Sequence, residues 1–500
     1  MKKDLSALQN GSDIRGVALA LPNGAAVNLT GDDACRIAMA FAQYLAEKIS
    51  KPVGELKIGV GHDSRLTADV ISKAVLRGIE AAGANAYYCG LASTPSMFCA
   101  TVYAETKFDG SVMITASHLP KERNGLKFFD RSGGFDKPDI KAILKAAGEI
   151  EPAEANAAEH QKVELIDIYS ADLCEKIKRG VAADDYDLPL KGLHVVVDAG
   201  NGAGGFFAEK VLAKLGADTS GSSFLEPDGN FPNHIPNPED KTAMAAIRES
   251  VLKNNADLGI IFDTDVDRMS AVLPDGSEIN RDAIIAMMAA VLAKDNPGST
   301  IVTDSVTSDR LTRFLEGELG LKHHRFKRGY KNVINEAIRL NNEGISSPLA
   351  IETSGHGAMK ENYFLDDGAY MAVKLLIAAA TAKREGKQVG ELIAKLEPLV
   401  EDCERRIKIS GDDFAEKGKK ALVMFEENAE KAGYHVVPNS YEGVRLSFGD
   451  GWALLRMSLH DPLLPLNIES EKQGGCAEIL KNIAALLKDA EGLDLSILEK

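Results

Sequence analysis

Three aspartates alternate along Asp263-Thr264-Asp265-Val266-Asp267, directly behind an apolar stretch, and Arg268 follows them. Carboxylates at i, i+2 and i+4 repel one another unless a cation sits among them. Hard oxygen ligands suit Mg2+, which keeps coordination positions for water or a phosphate oxygen. An EF-hand is excluded, because the loop length and the terminal glutamate are missing; a solvated acidic loop is the plain alternative. Arg268 can pair with an acid or hold a phosphate through its forked N–H groups. Ser117 stands in Thr115-Ala116-Ser117-His118-Leu119-Pro120. It admits three readings: a nucleophile beside His118, a carrier of a phosphoryl group, which adds close to two negative charges, or a polar turn. No Gly-x-Ser-x-Gly elbow accompanies it. Glu352, Ser354 and His356 place a carboxylate, a hydroxyl and an imidazole around Gly355, a set able to grip sugar hydroxyls, although surface loops often hold the same residues. Arg456-Met457-Ser458-Leu459-His460-Asp461-Pro462 offers a guanidinium, a hydroxyl and loop amides for a phosphate, or is a polar turn. Gly200, Gly202 and Gly205 match G-x-G-x-x-G in form. No convincing acid closes a following strand, so close packing explains them better than a dinucleotide.

The elements that must carry these clusters recur. An apolar strand at 57–61 leads to a helical pattern at 68–82 ended by Gly83, then to strands at 86–89 and 111–115 and the Ser117 loop. A strand at 194–198 precedes the glycine-rich loop and a helix at 206–215 ended by Gly216; the strand 258–262 then runs into the aspartates. A strand at 300–304, a helix at 309–319 ended by Gly320 and a strand at 349–351 lead to Glu352. Alternating strands and helices imply βαβ units and mainly parallel sheets, in which ligands gather beyond the carboxyl ends of strands. Three different polar clusters stand at that place in three similar units, which predicts three domains facing one cleft. The last hundred residues read differently, as a helix at 412–432, short strands near 435–437, 443–448 and 453–456 with a hairpin turn at Gly449-Asp450-Gly451, and a final helix at 475–490. The expected fold is therefore α/β: three similar mixed α/β domains in tandem plus a C-terminal α+β domain around a central cleft. The expected boundaries are 1–165, 166–278, 279–398 and 399–500. Residues 149–161 read as a surface connection and 383–387 as a solvated turn.

Composition bounds the class. At roughly 100 to 200 residues per domain, 500 residues predict three or four domains. Lys+Arg 58 against Asp+Glu 74 gives −16, a poor balance for binding nucleic acid or an anionic membrane. No apolar h-region follows Met1-Lys2-Lys3, and no apolar run approaches a membrane span of roughly 18 residues; 283–293 reads as a buried helix. The six cysteines are scattered without a C-x-x-C pair, which suits reduced, buried thiols in a cytoplasmic protein.

Taken in order, the clusters resemble the α-D-phosphohexomutase superfamily over nearly the whole chain. Gly11-Ser12-Asp13-Ile14-Arg15-Gly16 is similar to its opening motif, and Val60-Gly61-His62-Asp63-Ser64-Arg65 to its first strand and turn. Residues 115–118 resemble its phosphoserine loop, 124–127 the continuation of that loop, and 263–268 its metal loop. Glu352-Thr353-Ser354-Gly355-His356 resembles its sugar-recognition loop in the phosphomannomutase/phosphoglucomutase form; Glu226 to Asn233 and Arg328-Gly329-Tyr330-Lys331 are also similar to family segments. The resemblance implies a phosphohexomutase that interconverts hexose 1-phosphate and hexose 6-phosphate, of mannose or glucose, through phospho-Ser117 and a hexose 1,6-bisphosphate. It implies Mg2+ on Ser117, Asp263, Asp265 and Asp267, and charge stabilisation or proton handling by Arg15, His118, Lys127 and Arg268. Sugar recognition falls to Glu352, Ser354, His356, Tyr330 and Lys331, and the distal phosphate to Arg456, Ser458 and His460. The implied partner is a small sugar phosphate, with no nucleic acid or membrane, for a cytoplasmic monomer or homodimer.

Two loops depart from the family pattern. Its last loop usually reads Arg-x-Ser-Gly-Thr-Glu-Pro, whereas Leu459 and His460 stand here for the glycine and threonine. This means a variant substrate, a weaker phosphate site, or compensation by His460. Leu119 stands where asparagine is commoner. Three other readings stay open: a glucosamine-phosphate mutase, a non-catalytic sugar-phosphate binder, and a haloacid-dehalogenase-like phosphatase. The last is suggested by Asp263-Thr264-Asp265, but Asp267 occupies the place where that motif wants threonine or valine.

Overall fold

The computed structural model describes residues 2–154, 160–458 and 461–498. The chain packs into two compact units: Met1–Asn280 with Ser354–Glu391, and Arg281–Thr353 with Leu392–Lys500.

In the first unit, the strands Lys57–His62, Asn85–Leu91 and Gly110–Ile114 run parallel, and the helices Gly31–Lys48 and Ala68–Ala81 cover them. Ile58, Val60, Val112 and Ile114 bury their side chains against Phe41, Leu45, Val75 and Ile79 of those helices. Thr30 caps the first helix in a reciprocal bond with Asp33, which satisfies two N–H groups the helix itself cannot. The sheet is mixed rather than mainly parallel, because Asp13–Val17 and Arg123–Asp130 join it antiparallel. That hairpin-like edge brings Arg15 opposite Gly125. A Cβ at Gly125 would lie 2.1 Å from the Ile14 carbonyl, so only glycine permits the approach. The second sheet is also mixed: Val195–Asp198 and Leu258–Phe262 are parallel, while Met269–Val272 returns antiparallel.

The helix expected at 206–215 is present but underwound and then overwound, as a π-helix over Phe207–Leu212 and a 3-10 turn over Ala213–Leu215. The helix expected at 309–319 likewise passes from α (Asp309–Arg313) to π (Phe314–Glu318). Gly83, Gly216 and Gly320 all have positive φ where helices were expected to stop. The segment Gly368–Arg384 is a helix that packs on Leu165–Val181, and a Cβ at Gly180 would meet Ile377 at 2.3 Å.

In the second unit, Thr300–Thr303 pairs in parallel with Lys322–Arg325 and Leu349–Ile351. The predicted buried helix is Asp282–Ala293. The C-terminal region is a five-stranded antiparallel sheet carrying the helices Phe414–Lys431 and Gly475–Leu487. Two of its strands, Glu401–Lys408 and Leu463–Ser470, have no counterpart in the sequence reading. The first is charged at alternate exposed positions, and the second holds Pro465 inside a central strand, a position that argues against a strand from sequence. The strands Val444–Ser447 and Gly451–Leu455 form the expected hairpin. There the Arg445 guanidinium lies 3.8 Å from the centre of the buried Trp452 ring. All six cysteines are free thiols. Among the described residues no helix is long and apolar enough to cross a membrane.

Candidate active site

The Ser117 loop leaves the carboxyl end of Gly110–Ile114 and is held from behind. Thr115 Oγ1 donates to Asp63 Oδ2 (2.7 Å) and accepts from the Ser117 N–H (2.8 Å). Arg65, 2% exposed, donates to the carbonyls of Ser117 and Leu119 (2.5 Å each), Pro120 (2.8 Å) and Arg123 (2.9 Å). This clamp keeps Ser117 at φ +49°, a left-handed conformation that costs a non-glycine residue and concentrates at functional sites. From sequence, Asp63 and Arg65 are only part of a motif without a task of their own; the density of polar residues after the strand is the signal that marks them.

Ser117 Oγ donates to Asp263 Oδ2 at 2.9 Å and lies 3.3 Å from His118 Nδ1. His118 Nδ1 accepts an N–H from Arg268 at 2.9 Å. Burial, and then the charges of Arg268, His356 and Arg15, push the His118 pKa down to about 2, so its imidazole is neutral. Arg15 donates to the Thr115 carbonyl (2.6 Å) and to Asp13 (2.8 Å).

The aspartate loop turns tightly, with Val266 at φ +65°, a strained value for a β-branched residue. Asp263, Asp265 and Asp267 are buried together, with ligand oxygens within 4.8 Å of one another. Burial, and next the charges of Asp267 and Asp265, raise the Asp263 carboxyl well above its ordinary range. Burial acts the same way on Asp267, but the charges of Lys127, His356 and Arg268 together hold that carboxyl low. Lys127 Nζ is 2.5 Å from Asp267 and 3.3 Å from Asp265. Oδ1 of Asp265 and Oδ1 of Asp267 are buried with no hydrogen-bond partner among the described residues. Bare carboxylate oxygens in a buried cluster are what a hard cation would satisfy, so these residues fit a metal ion.

Thr94, unmarked in the sequence, fixes the loop: its Oγ1 donates to Asp265 Oδ2 (2.5 Å) and its N–H to the Asp265 carbonyl (2.8 Å). The glycine-rich loop is a seat for the same turn. A Cβ at Gly202 would lie 2.6 Å from the Thr264 carbonyl oxygen, and Ala203 donates to that oxygen at 2.8 Å. The expected close packing is present, against the aspartate loop.

His356 pairs with Asp366 and sits 3.8 Å from Asp267 Oδ1. Burial disfavours its charged form, but the charge and hydrogen bond of Asp366, together with the Asp267 charge, raise its pKa. The buried carboxylates of Asp267 and Asp366 thus share an imidazole between them. The Gly355 carbonyl accepts the Met269 N–H at 3.2 Å, and the buried Ser354 hydroxyl has no partner among the described residues.

The second unit collects the remaining residues. Glu352, 3% exposed, accepts the Gly329 N–H at 2.6 Å. Asp304, also unremarked in the sequence, accepts from Thr353 Oγ1 at 2.8 Å and lies 3.8 Å from Arg328 Nε. Burial, then the Glu352 charge, raises its pKa to about 7. Tyr330 and Lys331 begin the helix Tyr330–Asn342 and are half-buried. Arg456 ends the strand Gly451–Leu455 and donates to Glu442 at 3.3 Å. Ser458 Oγ accepts the Asp461 N–H at 3.2 Å. Leu459 and His460 lie outside the described residues.

Known proteins carry the same organisation. The family descriptions "Phosphoglucomutase/phosphomannomutase, alpha/beta/alpha domain I", "domain II" and "domain III" match residues 7–154, 172–276 and 280–399. The chain belongs to the α-D-phosphohexomutase superfamily. The Pseudomonas putida protein named "Phosphomannomutase/phosphoglucomutase" is 30% identical over 434 residues, 86% of each chain. A "Probable phosphoglucosamine mutase" of Methanocella arvoryzae is 30% identical over 89% of this chain and 94% of its own. A crystal structure of a Burkholderia thailandensis "Phosphoglucomutase/phosphomannomutase family protein" superposes with a TM-score of 0.79, at 26% identity and 98% coverage of both chains. As a phosphohexomutase, the chain is a sugar-phosphate isomerase built from three tandem α/β/α domains and one further domain.

Proposed function

We propose that this phosphohexomutase interconverts the 1-phosphate and 6-phosphate of mannose or glucose, with Ser117 as the phosphoryl carrier. The observation that carries the reading is the Ser117 hydroxyl, strained and clamped, donating at 2.9 Å to an aspartate of a buried acidic triad. In this reading the segments 1–165, 166–278, 279–398 and 399–500 supply the phosphoserine, the metal, sugar recognition and the distal-phosphate grip.

Ser117, Asp263, Asp265 and Asp267 would hold Mg2+, which supplies neutralisation of phosphoryl charge when bound. The chain's own residues do the rest. Asp263 orients the Ser117 hydroxyl. Lys127, Arg15 and Arg268 surround the place where phosphoryl oxygens would gather, and their fixed charges favour the transition state over the separated reactants. His118, neutral and with its Nδ1 already accepting from Arg268, stands beside the Ser117 hydroxyl as a polar neighbour rather than as its base. Glu352, Ser354, His356, Tyr330 and Lys331 bind sugar hydroxyls, and Arg456, Ser458 and His460 the phosphate that is not reacting. Phospho-Ser117 gives its phosphoryl group to the free sugar hydroxyl, a hexose 1,6-bisphosphate forms, and Ser117 then takes back the other phosphate.

A glucosamine-phosphate substrate is favoured by the similarity to the Methanocella protein. A dehalogenase-type phosphatase would need a free Asp263 nucleophile, whereas Asp263 is fully buried and accepts the Ser117 hydroxyl. Incubation with glucose 1,6-bisphosphate and Mg2+, followed by peptide mass spectrometry, tests the reading. An acid-stable phosphate on Ser117 is expected, with turnover of mannose, glucose or glucosamine 1-phosphate ranking the substrates. Bisphosphate hydrolysis with Ser117 unmodified would overturn it.

A further inference from the structure

Glu442 has no role in the reading above, yet its carboxylate joins two loops of the second unit. One oxygen, Oε2, accepts from Ser305 Oγ at 2.7 Å and from the Arg328 N–H at 2.9 Å. The other, Oε1, accepts from Arg456 Nη1 at 3.3 Å. Ser305 lies just beyond the strand Thr300–Thr303, and Arg328 just before the helix Tyr330–Asn342. A single half-buried side chain thus ties the arginine expected on the distal phosphate to the segments around the expected sugar-recognition loop.

The backbone keeps Glu442 in place. Its neighbour Gly443 has φ +69°, and a Cβ there would lie 2.1 Å from the Leu455 carbonyl and 2.7 Å from Arg456 Cα. The turn is therefore pressed onto the strand end that carries Arg456, and no larger residue would allow it. Arg456 uses Nη1 toward Glu442, while its Nε is buried without a hydrogen-bond partner among the described residues. A guanidinium presents its donors as a rigid fork, so one carboxylate contact orients the whole plane and leaves other edges for a phosphate. Without that contact a long, rotatable side chain would have to be ordered by the ligand itself, which weakens binding.

We propose that Glu442 is the positioning residue for Arg456, presetting it for the distal phosphate of the sugar phosphate. This rests on the phosphohexomutase reading. The experiment compares the full chain with its Glu442→Gln, Arg456→Lys and doubly substituted variants. Glutamine keeps an acceptor for Ser305 and Arg328 but loses the negative charge that orients Arg456. Expected for Glu442→Gln is a rise of about tenfold in KM and in the calorimetric Kd for glucose 6-phosphate, with kcat and melting temperature nearly unchanged. In the Arg456→Lys background the same change should add little, because both substitutions break one unit. A merely structural Glu442 would lower melting temperature and leave KM alone, and that result overturns the proposal. So does a lower KM, which would make Glu442 a competitor of the phosphate, and so do fully additive effects. A wild-type chain that binds glucose 6-phosphate without turning it over, and still loses affinity in Glu442→Gln, keeps the proposal and sinks the mutase reading.

Discussion

The Ser117 cluster and the Glu352–Arg456 cluster satisfy their carboxylates with a different mix of partners. Around Ser117, carboxylates face side-chain cations: Lys127 on Asp267, Arg268 near Asp263, His356 on Asp366. Non-glycine residues carry the strain there, at Ser117 and Val266. Around Glu352, backbone N–H groups of Gly329 and Arg328 and hydroxyls of Thr353 and Ser305 serve the acids beside the more distant guanidinium groups of Arg456 and Arg328. Positive φ falls on glycines in that cluster, at Gly329 and Gly443. Strain and bare oxygens are thus kept where a cation and a phosphoryl group would meet. On the proposed reading, the loops that would bind the sugar place positive φ on glycines, so they can vary without disturbing the Ser117 cluster.

The contrast can be broken most severely at Ser117. Ser117→Ala should lower turnover by at least about 1,000-fold and remove the phosphoenzyme from the intact-mass spectrum; retained activity would end the carrier assignment. Asp265→Asn should come next, weakening apparent Mg2+ affinity by about 100-fold or more in a metal titration. Because the three acids repel one another, its metal-free melting temperature should hold or rise. A collapse in melting with metal affinity intact would make the triad structural. Gly202→Ala pushes a methyl group against Thr264 and should cost about tenfold in Mg2+ affinity, with sugar-phosphate affinity spared.

The smallest effect tests the Glu352 side. Asp304 has its carboxyl raised to about 7 by burial and then by Glu352. A raised carboxyl favours the fold below its ordinary pKa, and that contribution is lost as pH climbs through the raised value. Melting temperature should therefore decline from about pH 4 to about pH 7 through this group, and Asp304→Asn should flatten that part of the profile. An unchanged slope would place the ionisation elsewhere.

Much of this was legible in the sequence because polar residues at strand ends are local signals. The aspartate triad, the Ser117 loop and the Glu352 loop all follow apolar strands that the structure contains. What escaped acts across the chain. Thr94 reaches Asp265 from 171 residues away, and Ser305 reaches Glu442 from 137; no spacing rule connects such pairs. Glu401–Lys408 escaped for a different reason, since its strand character comes from pairing with Leu463–Ser470 rather than from its own composition. The π-helical turns after Phe206 and Arg313 depart from the 3.6-residue period by which a helix is read from sequence.

The chain has one tryptophan, and it lies beneath Arg445 in the strand that leads to Arg456. Its indole is 4% exposed and its N–H has no hydrogen-bond partner among the described residues. The protein thus carries a single, shielded indole with a cation against its face. Excited beyond the tyrosine absorption, its emission should be blue-shifted in the native state, and any ligand that shifts the C-terminal strands should change its intensity without a dye, a label or a second tryptophan to subtract.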